Sequence, residues 1–548
     1  MSQGEDIRSG RKAYSTMRWA EAHARLSTAD GLERLKAADI ERLGNAAYLV
    51  GRDEEAVRVW TRAHNFYVDD ADVGHAVRVG FLLSLTSLLR GEMSQGNGWL
   101  ARIQRLLETA TGYPAEQGLS RLLMAIRQMF GGDPDGALPS FDAAVAVGTQ
   151  ERDPDLLALA LLCRGQALVA TGRAPEGAAS LDEAMVSVTG GQVSPILSGI
   201  IYCAVILTCQ SLFDSERSRE WTAVFDDWCG GQPDLVPFRG QCLIHRSEIL
   251  QMKGDWSGAM TAADRACHWL ADRTEATVGR AYYQKGEMHR LLGDCDAAEA
   301  CYERALRQGV NPQPGRALLR LAKGQAEAAL ATIRTACGSR YGAPAVPGDP
   351  ERLKLLGPSV EICLAAGETG TAVAAAEELS GWASALGTPL VQATSAHATG
   401  AVLASTGDRD AALAEFSGAL ALWQRLAIPY EAARTRARLT GLYHDLGDDD
   451  SAEAHRRIAE ATFSDLGASH DLSGVVRTLR GGTSCGLTCR HIDVLRLLAD
   501  GRTNREIAAE LGISRHTVAR HMSNIFDKTG VSSRAAAVAF AHKNRLLS

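Results

Sequence analysis

The sequence predicts an all-α protein: a long stack of helical hairpins followed by a small C-terminal helical module. Three observations predict it. From about Arg11 to Leu466 the chain is rich in Ala and Leu, poor in Pro and free of strand-like alternation. A glycine-centred pattern recurs through that region at intervals of about forty residues. Between Leu487 and Ala541, three short helical patterns follow one another with almost no linker.

Composition sets the frame. The chain has 548 residues, 46% of them hydrophobic and 22% charged, as in an ordinary globular protein. No apolar run approaches the ~20 residues of a membrane span. The N-terminus, MSQGEDIRSGRK, has charges of both signs and no apolar core, so it does not read as a signal peptide. The twelve cysteines are scattered through helical patterns, which suits buried thiols in a reducing cytoplasm rather than disulfides. A cytoplasmic location without membrane attachment is therefore expected. Cys485, Cys489 and His491 cluster, but three ligands without a fourth make a poor zinc site. No metal and no cofactor are expected.

Each repeat has the same anatomy. A turn glycine is followed five residues later by a small residue, four further on by a large apolar one, and three further on by another small one. Gly51-Ala56-Trp60-Ala63, Gly132-Ala137-Phe141-Ala144, Gly293-Ala298-Tyr302-Ala305 and Gly407-Ala412-Phe416-Ala419 are clear copies. Others begin at Gly91, Gly172, Gly254, Gly324 and Gly447, with a degenerate one near Phe213. Seven residues before most turns sits another small residue, such as Gly44, Gly165, Ser247, Gly286 or Gly400. The glycines at 51, 91, 132 and 172 step by 40 or 41 residues; the step from 293 to 324 is 31. Each unit reads as two antiparallel helices whose small residues let the backbones approach. One pair cannot bury its own apolar face, so the pairs must stack into a superhelix. Gly/Pro-rich loops at 189–195 and 338–350 interrupt the pattern, and the second suggests a seam between sub-arrays. The motif resembles the tetratricopeptide repeat, lengthened from its usual 34 residues.

The C-terminal module carries the chemistry. Val494, Leu495 and Leu498 form the inward stripe of a first helix, which Gly501 ends. Thr503 and Glu506 make a capping box for a second helix, with Ile507, Ala508 and Leu511 on its buried face. Gly512 and Ile513 allow only a sharp corner. Ser514 caps a third helix from Arg515 to Lys528. Its residues Val518, Met522, Ile525 and Phe526 point inward. His516, Ala519, Arg520, Ser523 and Asp527 share the opposite face, small and polar enough to enter a DNA major groove. Two helices around such a turn form a helix-turn-helix.

These residues resemble the LuxR-type helix-turn-helix transcription regulators. The matching positions include Leu487-Thr488, Arg490, Asn504, Glu506-Ile507-Ala508, Ile513-Ser514, Thr517-Val518, His521, Ile525, Lys528, Val531 and Arg534. The resemblance covers about the last tenth of the chain. It implies that the helix from Ser514 is the recognition helix and that a fourth helix, often used for dimerisation, follows Ser533. Two positions depart. His491 replaces an acid, which removes a capping box with Thr488; Ala519 replaces a Lys that would meet the groove. The expected architecture is thus a tetratricopeptide-like solenoid over 1–468, a linker over 469–486 and a four-helix DNA-binding module over 487–548.

Charge agrees. From Arg480 onward, eleven basic and five acidic residues give +6, which leaves −13 on the rest of a chain of net charge −7. A basic module meets phosphates while an acidic body is kept off them. The chain has no GxxxxGK[ST] phosphate loop, so the ATPase domain of the largest LuxR-type activators is missing; HExxH and CxxC are absent too. No catalytic residue is assigned and no enzyme is expected.

The reading is a cytoplasmic bacterial regulator that binds double-stranded DNA as a homodimer. Arg520, His516 and Ser523 would meet base edges. Thr503, Arg505, Arg515, Thr517, His521, Asn524 and Lys528 would meet phosphates, and Asn504 joins them as a position of the resemblance. RNA polymerase and a protein, peptide or small-molecule effector are the other expected partners. In tetratricopeptide arrays the first helix of each pair lines the concave side. That geometry puts Glu248, Gln251, Tyr283, Glu287 and Arg290 together as a candidate ligand groove. The alternative is a scaffold or adaptor whose terminal module docks another protein.

Overall fold

The computed structural model describes residues 3–32, 35–232, 234–270, 276–338, 350–469, 471, 487, 489–511, 513–544 and 546. Among the described residues every regular element is a helix. The first six hairpins are α1 (Gln3–Ser15) with α2 (Trp19–Leu32), α3 (Ala37–Leu49) with α4 (Asp53–Asp69), α5 (Val73–Leu89) with α6 (Met93–Glu108), α7 (Pro114–Phe130) with α8 (Pro134–Gln150), α9 (Pro154–Ala170) with α10 (Ala174–Thr189), and α11 (Pro195–Ser211) with α12 (Ser215–Gly230). The next six are α13 (Arg239–Lys253) with α14 (Trp256–Trp269), α15 (Ala276–Leu292) with α16 (Cys295–Arg307), α17 (Gly315–Ala322) with α18 (Ala326–Cys337), α19 (Pro350–Ala365) with α20 (Thr369–Leu386), α21 (Pro389–Thr406) with α22 (Arg409–Arg425), and α23 (Pro429–Asp445) with α24 (Asp449–Leu466). The fold is the predicted tetratricopeptide-like solenoid, and its first hairpin, α1–α2, was not visible in the repeat pattern.

The turns follow from local chemistry. Gly51, Gly91, Gly132, Gly172, Gly254, Gly293, Gly324, Gly367, Gly407 and Gly447 all have φ between +75° and +93°, a region that glycine enters without a Cβ penalty. In several turns the next residue is an Asp that caps the second helix. Asp133 accepts from the Gly136 amide at 2.9 Å, and Asp255 from the Gly258 amide at 2.9 Å. Phe213, with φ of 55°, is followed by Asp214 in the same way, so the degenerate copy is a regular turn without its glycine. A left-handed residue followed by Asp marks this turn even where the glycine is missing.

The small residues do what their spacing implied. A Cβ on Gly44 would lie 2.5 Å from Trp60 Cδ1, and one on Gly286 would lie 2.7 Å from Tyr302 Cε1. Gly165 and Gly177 face each other so closely that a Cβ on Gly177 would meet the Gly165 carbonyl oxygen at 2.7 Å. Where the small residue is Ser, its hydroxyl bonds across the pair: Ser247 Oγ donates to the Ala259 oxygen at 2.7 Å. Trp60, Phe141, Tyr302 and Phe416 are buried as the large residues of their repeats.

The array closes on itself twice. Trp19 Nε1 donates to Gln232 Oε1 at 2.9 Å, and the Val236 amide to the Leu49 oxygen at 2.9 Å, so the first six hairpins come round to their own start. One core runs from Trp19 to Cys242. In the second half Trp256, Met288 and Leu291 share a core with Ala433, Ala459 and Phe463. Ser469 Oγ donates to the Leu292 oxygen at 3.3 Å, and the Trp256 and Tyr430 rings lie 5.3 Å apart. The expected seam at 338–350 falls mostly on residues outside the described ones. Residues 339–349 lie outside the described ones, but Cys337 and Leu353 on either side belong to one core. The long N-terminal core ends within α13, where Cys242 belongs to it and Leu243 to a separate cluster.

Replacing Gly177 by Val should lower stability by about 1–3 kcal/mol, because the Gly165 backbone cannot give way. Replacing Gly418, an exposed glycine in α22 with open space around it, by Ala should raise stability by about 0.5–1 kcal/mol. Thermal and urea melts of the two variants check this; the opposite order would contradict the packing described.

Candidate nucleic-acid interface

The C-terminal module is built from α25 (Cys489–Ala499), α26 (Asn504–Glu510), α27 (Arg515–Thr529) and α28 (Arg534–Lys543). Its core holds Leu487, Val494, Leu495, Leu498, Ile507, Ala508, Val518, Met522, Ile525, Ala537 and Ala541. The stripes expected from spacing are the buried ones, with Leu511 and Phe526 half-buried at the rim.

The caps set the angles between these helices. The Thr503 amide donates to Glu506 Oε2 at 2.7 Å, and its hydroxyl accepts from the Glu506 amide at 3.4 Å. That reciprocal box holds the Glu506 carboxyl below its ordinary range. Ser514 Oγ accepts from the Thr517 amide at 3.0 Å and starts α27. Arg534, from α28, donates to Asn504 Oδ1 at 2.7 Å and to the Arg502 oxygen. Asn504 thus has a tie inside the module.

The outer face of α27 presents Arg515, His516, Ala519, Arg520, Ser523, Asp527 and Lys528 to the surface; Thr517 and Asn524 are half-buried. Thr503 and Arg505 are exposed beside them. His521 departs from expectation. It was placed among the phosphate contacts, yet it is 1% exposed. It lies three residues after Val518 and four before Ile525, on the inward stripe, so the helical period explains the burial. Its ring stacks edge-on with His491, 5.6 Å between centroids, and abuts Gly447, where no Cβ would fit.

Gly447 belongs to the solenoid, and it introduces what the sequence did not reveal. The last hairpin turn reads Gly447-Asp448-Asp449-Asp450, where the turns at Gly132, Gly293 and Gly407 read Gly-Asp-X-Asp with Pro134, Cys295 or Arg409 between the two acids. These acids reach the recognition helix. Arg520 Nη2 pairs with Asp450 and lies 3.4 Å from Asp448 Oδ1; Lys528 Nζ donates to Asp449 Oδ2 at 2.7 Å. The Asp449 carboxyl is held well below its usual range, first by the hydrogen bond from His444 and then by Lys528. Burial, then Lys528, lowers His491 to about 4, so this ring is neutral at pH 7. Two residues expected to contact DNA are therefore engaged by the body.

Residues 486–541 match the family described as "Bacterial regulatory proteins, luxR family". The C-terminal module is a LuxR-type helix-turn-helix domain. It is 57% identical over 53 residues to the probable transcriptional regulatory protein SgaR of Hyphomicrobium methylovorum, covering 10% of this chain and 25% of that protein. It is 46% identical over 61 residues to the transcriptional regulatory protein LiaR of Bacillus subtilis, covering 11% and 29%. The chain thus spans less than a third of either relative. Among solved structures, a Rap protein complexed with competence and sporulation factor is similar at TM-score 0.40 and 15% identity, over 72% of this chain and 99% of that one. The Cut9–Hcn1 structure is similar at TM-score 0.41 and 12% identity, over 100% and 97%.

The expected ligand groove is only partly assembled. Gln251 and Arg290 line a cavity of about 440 Å³ at the centre of the second superhelical turn. Glu248, Tyr283 and Glu287 do not. Glu248 accepts from Gln210 Nε2 at 2.5 Å and lies beside His245 and Arg280, which hold its carboxyl down at about 2. Glu287 is 9% exposed and bonded to the Tyr302 hydroxyl and Arg290. Burial raises the Tyr283 hydroxyl well above its ordinary value. Glu248 and Glu287 instead bond residues of neighbouring helices, Gln210 and Tyr302. Among the described residues no group of three or more His, Cys, Asp or Glu is arranged to hold a metal, and no helix is long and apolar enough to cross a membrane. Cys485 and the side chain of Cys489 lie outside the described residues.

Removing the box at the start of α26 by Thr503→Ala should weaken that helix by about 1 kcal/mol. Hydrogen exchange of the 504–510 amides should then run about fivefold faster in the variant. Unchanged exchange would show that packing alone holds α26.

Proposed function

We propose that this chain is a sequence-specific DNA-binding transcription regulator whose helical array restrains its own recognition helix. One observation carries the reading: Arg520 and Lys528, on the outward face of a LuxR-type recognition helix, are both paired with acids of the last solenoid turn. Supporting it are the family match over 486–541 and the regulators it resembles. In the DNA complex α27 lies in the major groove. Arg520, His516 and Ser523 face base edges; Arg505, Arg515, Thr517, Asn524 and Lys528 meet phosphates, with Thr503 and Asn504 at the start of α26. A homodimer on two half-sites, RNA polymerase and an effector complete the proposed partners.

The restraint is shallow by construction. Asp450 is 87% exposed and Arg520 42%, and surface pairs of this kind contribute about 0.2–1 kcal/mol each. Three such contacts with the Gly447–His521 packing make a barrier of a few kcal/mol, within reach of one ligand-binding event. Phosphates and the three Asp carboxylates compete for the same cations, so DNA and body exclude each other from α27.

Changing Asp448, Asp449 and Asp450 together to Asn keeps a good N-cap while removing the charges. DNA affinity at fixed salt should rise about 5- to 50-fold. Weaker or unchanged binding would end the restraint model. Arg520→Ala should weaken the preferred site by about 1–3 kcal/mol while barely altering binding to random DNA. Selection of bound sequences from a random pool supplies the site; a pool that shows no enrichment would instead favour the adaptor alternative.

A further inference from the structure

Arg534 opens the fourth helix of the LuxR-type domain, yet its side chain turns back to the start of α26. Its Nη1 donates to Asn504 Oδ1 at 2.7 Å, and its Nη2 donates to the Arg502 oxygen. A guanidinium has donors only, so the Asn504 atom that faces it is the oxygen. The amide nitrogen then points the other way. Asn504 is half-buried, and its Nδ2 is neither sealed from solvent nor bonded to a described residue. Two N–H donors are therefore offered at the surface, between the exposed residues Thr503 and Arg505.

The neighbouring groups leave those donors free. Glu506, the acid in the first turn of α26, accepts from the Thr503 amide at 2.7 Å and from its hydroxyl at 2.8 Å. That box holds residue 503, while the Arg534 fork holds residues 502 and 504 on either side of it. Arg534 itself meets two neutral oxygens and no carboxylate among the described residues. A cation on the oxygen of an amide polarises it and strengthens the bonds that its N–H groups donate. An untethered amide can also turn its oxygen outward, and that oxygen repels a phosphate. The first helix of a helix-turn-helix crosses the DNA backbone, so a phosphate is what the start of α26 would meet.

We infer that Arg534 is a positioning residue for DNA binding: it holds the Asn504 amide with its N–H groups outward, where they donate to a phosphate beside the groove that α27 enters, while Arg534 itself stays off the DNA. The inference deepens the DNA-binding reading above and rests on it. It gives the fourth helix a part in DNA affinity that is exerted through α26.

The test measures binding of the full chain to the duplex selected from the random pool and to a scrambled duplex of equal length. Asn504→Asp keeps an acceptor for Arg534 and removes both outward donors. It should weaken binding about 5- to 20-fold, while hydrogen exchange of the 504–510 amides stays as slow as in the wild type. A purely structural tie between Arg534 and Asn504 predicts no such loss. Arg534→Met keeps the aliphatic stem and removes the fork; it should weaken binding about 3- to 10-fold. Its slope of affinity against salt should match the wild type, because it loses no phosphate contact of its own. Both losses should be equal on the two duplexes, as a backbone contact requires. In a chain already carrying Asn504→Ala, Arg534→Met should cost less than about twofold more. Losses that multiply, a salt slope lowered by about one in Arg534→Met, or Asn504→Asp binding as tightly as the wild type would each overturn the role. A wild-type chain that binds neither duplex would fail the DNA reading itself, and this role with it.

Discussion

The structure depends on a packing constraint: a single pair of helices of this length cannot cover its own apolar face. Most repeats answer it in a similar way. A small residue on the first helix receives a large apolar side chain from the second, as Gly44 receives Trp60, Gly165 receives Leu181 and Gly286 receives Tyr302. The backbones then approach closely enough for the remaining apolar side chains to reach the next pair. The left-handed residue and the Asp that follows it make the turn tight, so no repeat can slide away from its partner.

Stacking by itself would give an open spiral. This array does not remain open, because its pairs rotate enough for distant hairpins to meet. Trp19 reaches Gln232, and Trp256 reaches Tyr430 and Phe463. Closure creates an interior. In the second turn that interior keeps a real cavity, since the first helices of its hairpins present Ala, Gly and Thr between their larger residues.

The same closure delivers the last hairpin to the LuxR-type domain. Its turn needs one Asp to cap α24, and the two further acids also suit a helix N-terminus. Their second use arises only because α27 lies across them. One short stretch, Gly447 to Asp450, therefore serves local helix formation and the contact with Arg520 and Lys528 together. Contacts that are individually weak suit a surface that DNA must be able to take over.

Much of this was legible in the sequence. The turn glycines, the large residues of each repeat, the capping box at Thr503 and the core stripes of the C-terminal module are all local features, fixed by spacings of three to seven residues. The helical period alone puts His521 on the inward stripe with Val518 and Ile525, which is where the structure buries it. The acidic turn was also written in the chain, as three consecutive Asp, but its partner lies seventy residues away. The cavity was out of reach for a further reason. Glu248 and Glu287 share a helix face with Gln251 and Arg290, and only the curvature of the closed array decides which of them meets the interior. Short-range stereochemistry determined the helices, the hairpins and the shape of the DNA-facing helix; the summed rotation of twelve hairpins decided what they enclose and what they touch.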